Sequence, residues 1–311
     1  MSEYRNIKAV NQSRLKKLLI HPKLYITEEE QKQKSYFTYG QLVEDVLVME
    51  DEDLQDKYII CNVEIPTDKV KEVIEALYAS RGTGDFDNIE PDLVEGIRME
   101  IGYQTKWKSE TVYNKLKTLG SEYLNFIASA GDKIIISQED FEKAQFSCNT
   151  IEKNPNLAKY LSKDNLFKHV ITFKNKGFKC KGELDIVHYN HDEKTVRVVD
   201  IKTTSQFLSF KTSILRYRYD FQLAFYTMAL MTEVPPGYQV IPPQLLVIDS
   251  NGFFDPEIYT IPANFDSFEI NGRTYLGISD AFERLTYHTT YDEWNYSMDY
   301  IEGGYVNEFE V

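Results

Sequence analysis

Two carboxylates and a lysine lie close together between residues 178 and 205. β-rich runs flank the turn-forming residues 190–193, and this pattern predicts a β-hairpin. Because side chains alternate along a strand, Val198, Asp200 and Lys202 share one face of the second strand. With a loop of about two residues, Asp185 would lie opposite Val198 and diagonal to Asp200. The segment therefore predicts two carboxylates and an ammonium group at one end of a hairpin.

This charged strand end has two explanations. Burying a charge is costly unless the charge is paired or binds a metal ion. Hard carboxylate oxygens suit Mg²⁺ or Mn²⁺, and the nearby ammonium could orient or activate a water molecule. A solvated strand end with a surface ion pair fits this segment equally well. The rest of the chain has to decide between a metal site and an ordinary surface.

Two helices have the spacing needed to bring further polar groups to such a hairpin. Residues 36–49 have apolar positions at helical spacing, with Gly40 and Glu44 one turn apart. A glycine inside a helix favours close approach to other backbone, which would carry Glu44 to the same place. A surface glutamate beside other acids is the alternative. Residues 221–231 form a second predicted helix, with Gln222 and Tyr226 one turn apart.

The remaining pattern alternates helices with short strands. Residues 14–20 form a basic helix whose lysines either contact phosphate or are solvated, and residues 51–57 are expected to be a charged loop. The apolar run 244–249 suits a buried strand beside the hairpin. Other predicted elements are helices at 67–78, 91–128, 137–151 and 279–287, strands at 167–174 and 258–261, and a tight turn at 175–177.

Composition limits the class of protein. The chain has 311 residues, 42% of them hydrophobic, with 22 Tyr and 18 Phe, which is enough to bury one large core or two modest ones. No apolar run approaches the roughly 18 residues of a membrane span, and no charged-then-apolar leader is present. We therefore expect a cytoplasmic protein without a membrane partner.

Cysteine and histidine give no sign of a zinc site or a disulfide framework. Cys61, Cys148 and Cys180 are far apart and odd in number, so we expect buried, unpaired thiols. His188 and His191 have a metal-like spacing, but they lie at a predicted turn without thiol partners. We do not expect them to bind zinc.

The charge distribution permits nucleic-acid binding without requiring it. The net charge of -14 opposes phosphate binding, yet residues 163–218 hold twelve basic and six acidic residues. The tail from Thr289 onward has six acids and no Lys or Arg. A basic band on an acidic body could select one face for DNA, and it is equally typical of a solvated surface.

The polar motifs follow a specific order along the chain. Gly40-x-x-x-Glu44 is followed by Gly182-x-x-Asp185, Asp200-x-Lys202 and Gln222-x-x-x-Tyr226. This order resembles the PD-(D/E)XK nuclease superfamily, and within it the RecB/RecE-like branch. Residues 13–25, 133–140 and 219–226 also look like the exonuclease domain of exodeoxyribonuclease VIII and related phage exonucleases. The resemblance covers most of residues 11–231 and becomes weaker beyond them.

The resemblance implies an α/β fold with a restriction-endonuclease-like core, in which helices flank a mixed central β-sheet. It implies one nuclease domain over residues 1–311, with a helical insertion at about 64–165. The catalytic core would comprise about 11–60 and 166–262, and a C-terminal helix and acidic tail would occupy 263–311.

The resemblance also implies roles for individual residues. Asp185 and Asp200 would be catalytic metal ligands, Ile201 would offer its carbonyl oxygen, and Lys202 would be the catalytic lysine. Glu44 would be a further ligand on the first helix. The metal would be Mg²⁺, with Mn²⁺ as a substitute. Residues that would support the site or contact DNA are Gln222, Tyr226, Thr203, Arg216 and Arg218.

Two departures from the family pattern concern the start of the hairpin. Relatives often carry an acid before it, where this chain has Lys168, His169 and then Val-Ile-Thr. Relatives also often have Arg-Pro before the first Asp, where this chain has Glu183-Leu184. Glu183 and His169 are the candidates for the missing metal-coordinating group.

The implied function is a Mg²⁺-dependent DNA exonuclease that acts 5′→3′ from duplex ends in phage-type recombination or replication. A homo-oligomer, a single-strand annealing protein as partner, and a bacterial or phage-infected cell as location follow from the same resemblance. A structure-specific or single-strand nuclease of the same fold is one alternative. A catalytically inactive nuclease-fold protein used for DNA binding or interaction is the other.

Overall fold

The computed structural model describes residues 3–27, 35–82 and 84–305. Its helices are α1 Glu3–Asn6, α2 Gln12–Ile20, α3 Pro22–Ile26, α4 Ser35–Val48, α5 Asp51–Lys57, α6 Asp68–Arg81, α7 Pro91–Ile101, α8 Ser109–Ala130, α9 Gln138–Lys153, α10 Phe210–Arg216, α11 Tyr219–Leu230, α12 Ile278–Tyr291 and α13 Met298–Glu302. Its strands are β1 Tyr58–Cys61, β2 Ile134–Ser137, β3 Leu166–Asn175, β4 Phe178–Asn190, β5 Thr195–Thr204, β6 Gln239–Val240, β7 Gln244–Asp249, β8 Glu257–Thr260, β9 Phe268–Ile270 and β10 Arg273–Tyr275. Short 3-10 turns occur at Phe86–Asn88, Ala158–Leu161 and Phe207–Ser209.

The chain divides into two compact units. One unit consists of Met1–Val48 and Phe146–Val311, and the other consists of Met49–Gln145. The second unit begins and ends earlier than the insertion predicted at 64–165, and it contains the strands β1 and β2 as well as helices. The assignment of both units to a single nuclease domain stays a prediction.

The first unit is built on a mixed central sheet with the strand order β3-β4-β5-β7-β8, and β6 also pairs with β5. The pairs β3/β4, β4/β5 and β7/β8 are antiparallel, whereas β5 pairs in parallel with β6 and β7. Parallel neighbours of β5 require crossover connections, which the chain makes through α10 and α11. The predicted fold class, a mixed sheet flanked by helices, is confirmed.

The β4–β5 hairpin has a longer loop than the sequence indicated. Asn190 pairs with Thr195, so residues 191–194 form the loop, and the Asn190 side chain accepts a hydrogen bond from the Glu193 backbone N–H at 3.1 Å. The register is therefore Val187↔Val198 and Ile186↔Val199. The prediction that Asp185 lies opposite Val198 is wrong. Continued by one residue beyond Ile186↔Val199, this register brings Asp185 opposite Asp200 itself.

The β3–β4 turn has the chemistry expected of a two-residue hairpin. Asn175 pairs with Phe178, and the two residues between them have positive φ angles, 44° at Lys176 and 85° at Gly177. Two successive positive φ angles are typical of a type I′ turn, which fits the right-handed twist of the strands. The predicted tight turn at 175–177 is confirmed.

Helix α11 packs against β3, β4 and β5 and is buried on nearly all sides. Leu223, Ala224 and Phe225 are completely buried, which is what an apolar helix without a polar face requires. Helices α2 and α12 pack together and against α11. The Trp294 ring stacks on Tyr25 of α3 with a centroid distance of 5.6 Å and on His288 of α12 with a centroid distance of 5.5 Å, so it joins these two helices.

The second unit has its own apolar core between α6, α7 and α8. Gly120 permits a close helix contact there, because a Cβ atom at this position would lie 2.3 Å from Ile74 Cδ1. The expectation of a charged loop at 51–57 is wrong, since α5 covers these residues. Three of its four acids lie in the first turn and Lys57 in the last, an arrangement that suits the helix dipole, and Leu54 is buried.

Two expectations from composition can be compared with the described residues. Cys61, Cys148 and Cys180 are free thiols, of which Cys61 and Cys180 are buried and Cys148 is partly exposed. Among residues 3–27, 35–82 and 84–305, no helix combines the length and the apolar character needed to cross a membrane.

Candidate active site

The first group of site residues, here called the Asp200 cluster, consists of Asp200, Lys202 and Gln222. Asp200 and Lys202 lie on the same face of β5, and Asp200 is only 1% exposed. The Lys202 ammonium forms an ion pair with Asp200 Oδ2. Gln222 Nε2 donates to Asp200 Oδ1 at 2.9 Å. Asp200 is thus a buried carboxylate held by a cation on one oxygen and by an amide on the other.

Helix α11 brings Gln222 to this carboxylate. Tyr226 follows one turn later, and its hydroxyl lies 3.4 Å from Gln222 Nε2. Both side chains are buried, Gln222 at 9% exposure and Tyr226 at 8%. A Cβ atom at Gly182 would lie 3.3 Å from the Tyr226 ring, so the glycine makes room for the tyrosine. The pair is therefore positioned to support Asp200, and its role stays a prediction.

Asp185 connects the two neighbouring strands of the site. Its Oδ2 atom accepts a hydrogen bond of 2.9 Å from the Ile201 backbone N–H. The Ile201 carbonyl oxygen in turn accepts from Lys202 Nζ at 3.3 Å. The backbone of the residue between Asp200 and Lys202 is therefore fixed by the acid of the adjacent strand. This places both predicted acids and the Ile201 peptide in one small region.

The second group, here called the Glu44 cluster, consists of Glu44, Lys168 and Asp185. The Lys168 ammonium contacts Glu44 Oε2 and donates to Asp185 Oδ1 at 3.1 Å. It therefore bridges a carboxylate of α4 and a carboxylate of β4. A site role was predicted for Glu44 but not for Lys168.

Gly40 explains how α4 comes close enough to deliver Glu44. Helix α4 packs against β5, and a Cβ atom at Gly40 would lie 3.2 Å from Thr203 Oγ1. The predicted close approach at Gly40 is present, and its nearest neighbour is a side-chain oxygen. Thr203 thus lies where the helix carrying Glu44 meets the strand carrying Asp200.

Lys168 has an unusual backbone conformation within β3. Its φ angle is 48°, in the left-handed region that residues other than glycine rarely adopt. The flanking pairs are Phe167↔Ile186 and His169↔Leu184, which places Lys168 across from Asp185. The tight turn predicted at 175–177 sets this opposition, whereas no local sequence pattern indicated the positive φ.

His169 and Glu183, the two candidates for the missing family acid, lie near groups outside the two clusters. His169 Nε2 lies 2.9 Å from Glu233 Oε2. Burial, and after it the Glu183 carboxylate, raises the pKa of the Tyr4 phenol, so Glu183 lies near α1. Lys168 is therefore the residue from this stretch that contacts Asp185 and Glu44.

Burial and like charge shift the pKa values of both clusters. Burial raises the pKa of the Asp200 carboxyl, opposed by Lys202 and reinforced by Asp185. Burial and the Asp185 carboxylate raise the pKa of Glu44, against the effect of Lys168. Burial lowers the pKa of each lysine, but the neighbouring carboxylates outweigh it, so the pKa values of Lys168 and Lys202 both rise. Both lysines are therefore cations at neutral pH.

A cavity of about 710 Å³ lies beside the Asp200 cluster. Lys16 lines it, and burial together with the positive charge of Lys202 lowers the pKa of Lys16 to about 8. The Tyr219 ring lies 5.2 Å from Lys202 Nζ and 5.8 Å from the ring of Tyr217, which also lines the cavity. None of the described lining residues is acidic, and the basic ones are Lys16, Lys211, Arg216, Arg218 and Arg273.

Of the two arginines predicted from the sequence, Arg218 is held by hydrogen bonds and Arg216 is exposed. Arg218 donates to Asp220 Oδ2 at 3.2 Å and to the Leu276 carbonyl oxygen at 2.6 Å. Arg216 is exposed at the end of α10, with its guanidinium 5.5 Å from the centre of the Tyr217 ring. Arg273 was missed because the β9–β10 hairpin has only three residues in each strand and gave no clear sequence pattern.

The side chains where the β4–β5 pairing ends, in the interior of both strands, fit a hard divalent cation. Among the described residues no three His, Cys, Asp or Glu side chains already have the geometry of a ligand set. However, Asp200 Oδ2 is buried and receives no hydrogen bond of normal geometry, although it is in ion-pair contact with Lys202. Asp185, Asp200 and the Ile201 carbonyl supply the oxygen ligands that Mg²⁺ and Mn²⁺ prefer. These groups could therefore hold such an ion, with Glu44 as a further carboxylate nearby.

Comparison with known proteins identifies a family. Residues 99–274 match the family model described as a PDDEXK-like domain of unknown function (DUF3799). No curated protein sequence matches the chain significantly. Among solved structures, a crystal structure described as a “Putative exonuclease” from Eubacterium rectale shares 14% identity over 90% of this chain and 89% of that chain. Its TM-score is 0.35, so this likeness carries no argument about function.

Proposed function

This chain belongs to the family of PDDEXK-like domains, and we propose that it is a divalent-metal-dependent deoxyribonuclease. The observation that supports this most strongly is the convergence of Asp185, Asp200 and Lys202 around the Ile201 peptide. Two buried carboxylates from adjacent strands, a backbone carbonyl and an ammonium group are a suitable set for hydrolysis of a phosphodiester.

In the proposed mechanism Asp185, Asp200 and the Ile201 carbonyl oxygen would hold the metal ion, and Glu44 would contribute from α4. When bound, the ion would neutralise the scissile phosphate and lower the pKa of a coordinated water. Gln222 keeps Asp200 in a fixed orientation through the 2.9 Å hydrogen bond, since outer partners of this kind orient metal ligands.

Lys202 acts as a cation in this proposal. Because the adjacent carboxylates raise the pKa of Lys202, its ammonium stays charged at neutral pH and is a poor base. It can donate hydrogen bonds to the attacking water and to a phosphate oxygen. A fixed positive charge of this kind stabilises the negative charge that develops during phosphoryl transfer.

The cavity with the basic lining, here called the cationic cavity, supplies a path for a DNA strand next to the proposed site. Arg216 and Lys211 are exposed, and phosphate groups bind such side chains. Tyr217 is 51% exposed and lies beside Arg216, so a base can stack on its ring. The basic lining therefore offsets, at this place, the repulsion expected from the overall charge of -14.

At a finer level we propose a Mg²⁺-dependent exonuclease that degrades duplex DNA 5′→3′ from its ends in phage-type recombination or replication. A homo-oligomer and a single-strand annealing protein as partner belong to the same proposal, as does a cytoplasmic location. A time course on linear duplex DNA labelled at one 5′ or 3′ end tests it. We expect Mg²⁺-dependent early release of the 5′ label, and early release of the 3′ label would contradict the polarity.

A single-strand or structure-specific nuclease is the second candidate, favoured by the exposed Tyr217 ring in the cavity. Circular DNA separates these activities, because an exonuclease leaves circular duplex and circular single strands intact. Cleavage of circular single strands would favour the second candidate.

A binding protein without catalysis is the third candidate, and the observation in its favour is the Lys168 ammonium between Glu44 and Asp185. Calorimetry with Mn²⁺ discriminates here. Tight Mn²⁺ binding without cleavage of any DNA substrate would favour the passive function. Mn²⁺ binding that survives Asp185→Ala unchanged would contradict the proposed metal site.

A further inference from the structure

We propose that Lys168 is a built-in cation that takes the place of a second metal ion, so that this site holds one divalent ion. The inference rests on the proposed function for its chemistry, but the position of Lys168 is independent of it. The ammonium lies between Glu44 and Asp185, in contact with one oxygen of each. A divalent ion shared by these two carboxylates would need the same space.

The Lys168 contact differs from an ordinary surface ion pair. The side chains of Lys168, Glu44 and Asp185 are 26%, 24% and 13% exposed. By contrast, Glu139 in the helical pair with Lys143 is 76% exposed. Exposed pairs contribute little and rearrange easily, whereas removing one partner of a buried pair leaves an uncompensated charge. The ammonium therefore has a fixed role in the charge balance of the cluster.

The backbone of β3 supports the same conclusion. Lys168 adopts a φ of 48° inside a strand, although the neighbouring pairs Phe167↔Ile186 and His169↔Leu184 are regular. A non-glycine residue in this conformation costs free energy and persists only where its surroundings fix it. The conformation brings the side chain across from Asp185, onto the face where Glu44 arrives from α4. The strain is therefore linked to the delivery of a positive charge.

Charge complementarity limits the number of metal ions. The site contains three carboxylates, from Glu44, Asp185 and Asp200, and two ammonium groups, from Lys168 and Lys202. With the carboxylates ionised, its formal charge is therefore -1 by this count. One divalent ion and one phosphodiester would bring the total to zero. A second divalent ion would leave two uncompensated positive charges in a partly buried place, which is unfavourable, whereas without the Lys168 ammonium only one would be left.

The test counts Mn²⁺ ions bound per chain, by calorimetry and by electron paramagnetic resonance of free Mn²⁺, in the absence of DNA. We expect one ion for the unaltered protein and two for Lys168→Met, which removes the charge and keeps the length of the side chain. Lys174→Met is the matched control, because Lys174 is an exposed lysine on the same strand. It should leave the count at one.

A folding defect in Lys168→Met can be separated from the effect on metal binding. Lys168→Asn also removes the charge, and asparagine tolerates a positive φ better than methionine does. Far-ultraviolet circular dichroism and thermal melting check each variant. Two ions in the unaltered protein would overturn the proposal whatever the variants do. The same count in the unaltered protein and in a folded Lys168 variant would also overturn it.

These measurements distinguish failure of the role proposed for Lys168 from failure of the proposed function. If the protein bound one Mn²⁺ and Lys168→Met bound two, but neither degraded DNA, the nuclease proposal would fail and the role of Lys168 would stand. If the protein degraded DNA and the count did not change in Lys168→Met, the role of Lys168 would fail and the nuclease proposal would stand. For an active protein, the Mg²⁺ dependence of cleavage should have a Hill coefficient near one, rising in Lys168→Met.

Discussion

The Asp200 cluster and the Glu44 cluster both pair a lysine with buried carboxylates, but they are built differently. In the Asp200 cluster, Lys202 and Asp200 are two residues apart on one regular strand. In the Glu44 cluster, Lys168 joins acids from α4 and β4, and its own backbone has a positive φ. The charged pair of the first cluster lies on one strand, with Gln222 added from α11, whereas the second cluster depends on the packing of three separate elements.

This difference suggests a division of work in the proposed nuclease. A pair on one strand keeps its geometry as long as β5 is in the sheet, which suits groups that must be held precisely relative to a metal ion. The geometry of a cluster built from three elements depends on the position of each element. Such a cluster suits a role in setting the local charge and the number of bound metal ions.

The largest effect is expected for the Asp200 cluster. Asp200→Asn and Lys202→Ala should each reduce Mg²⁺-dependent DNA degradation by about 10³-fold or more, because each removes a charge worth several kcal/mol in the transition state. Glu44→Gln should reduce it less, since Lys168 partly neutralises Glu44. Initial rates on linear duplex DNA measure this. A larger loss in Glu44→Gln than in Asp200→Asn would reverse the division between the clusters.

A smaller effect is expected for the amide that holds Asp200. Gln222→Ala removes the 2.9 Å hydrogen bond to Asp200 Oδ1 and should lower activity or Mn²⁺ affinity by about 10- to 100-fold. Gln206→Ala is the matched control, because Gln206 is an exposed glutamine before α10. Equal rates for Gln222→Ala and Gln206→Ala would show that the amide does not orient the carboxylate.

Substitutions that remove positive charge from the cationic cavity should weaken DNA binding and leave metal binding unchanged. Arg216→Gln combined with Lys211→Gln should make log K against log salt less steep by roughly 1.4 to 1.8 for two lost phosphate contacts. Fluorescence anisotropy with labelled DNA in Ca²⁺ over a series of salt concentrations measures this slope. Lys153→Gln combined with Lys174→Gln removes the same charge from exposed positions elsewhere. An equal change of slope in that control would show that only net charge matters.

The smallest effect concerns His188, a buried histidine on β4 outside both clusters. Burial, and then the charges of Arg197 and Lys159, lower the pKa of His188 to about 4 from a usual value of 6.5. The unfolded chain therefore binds a proton between these pH values and the folded chain does not. Stability from His188 is complete above about pH 6.5 and is lost as the pH falls towards 4, by on the order of 1–3 kcal/mol.

Urea unfolding at pH 7 and pH 5 measures this loss for the unaltered protein and for His188→Gln. The variant should lack the His188 share of the pH dependence, although it also loses the 3.0 Å hydrogen bond to Asn165 Oδ1. An identical pH dependence in both proteins would contradict the assignment. The rate of DNA cleavage per folded molecule should be the same in His188→Gln as in the unaltered protein.

The sequence was sufficient for the parts of the site that are local. Asp200 and Lys202 follow from alternation along one strand, and Gln222 and Tyr226 follow from one turn of a helix. The hairpin loop proved longer than predicted, because the Asn190 side chain stabilises a wider turn, and this moved Asp185 opposite Asp200. An error in loop length is small in sequence but changes which side chains meet.

Features that depend on distant segments could not be predicted. Lys168 gains its position from the register of β3 and from a positive φ that no local pattern required. Arg273 reaches the cavity through a short hairpin, and Lys16 reaches it through the packing of α2 against α11. These contacts join residues far apart in the chain, and their formation depends on packing between complete elements.

Degradation of linear duplex DNA by the unaltered protein and by Asp200→Asn, each with Mg²⁺ and with a chelator, measures whether Asp200 belongs to a metal-dependent nuclease site. The proposal predicts that only the unaltered protein with Mg²⁺ degrades the DNA, and that Asp200→Asn keeps its fold by circular dichroism. Degradation in the chelator, or an undiminished rate in Asp200→Asn, would contradict a metal-dependent nuclease site at Asp185 and Asp200, where the β4–β5 pairing ends.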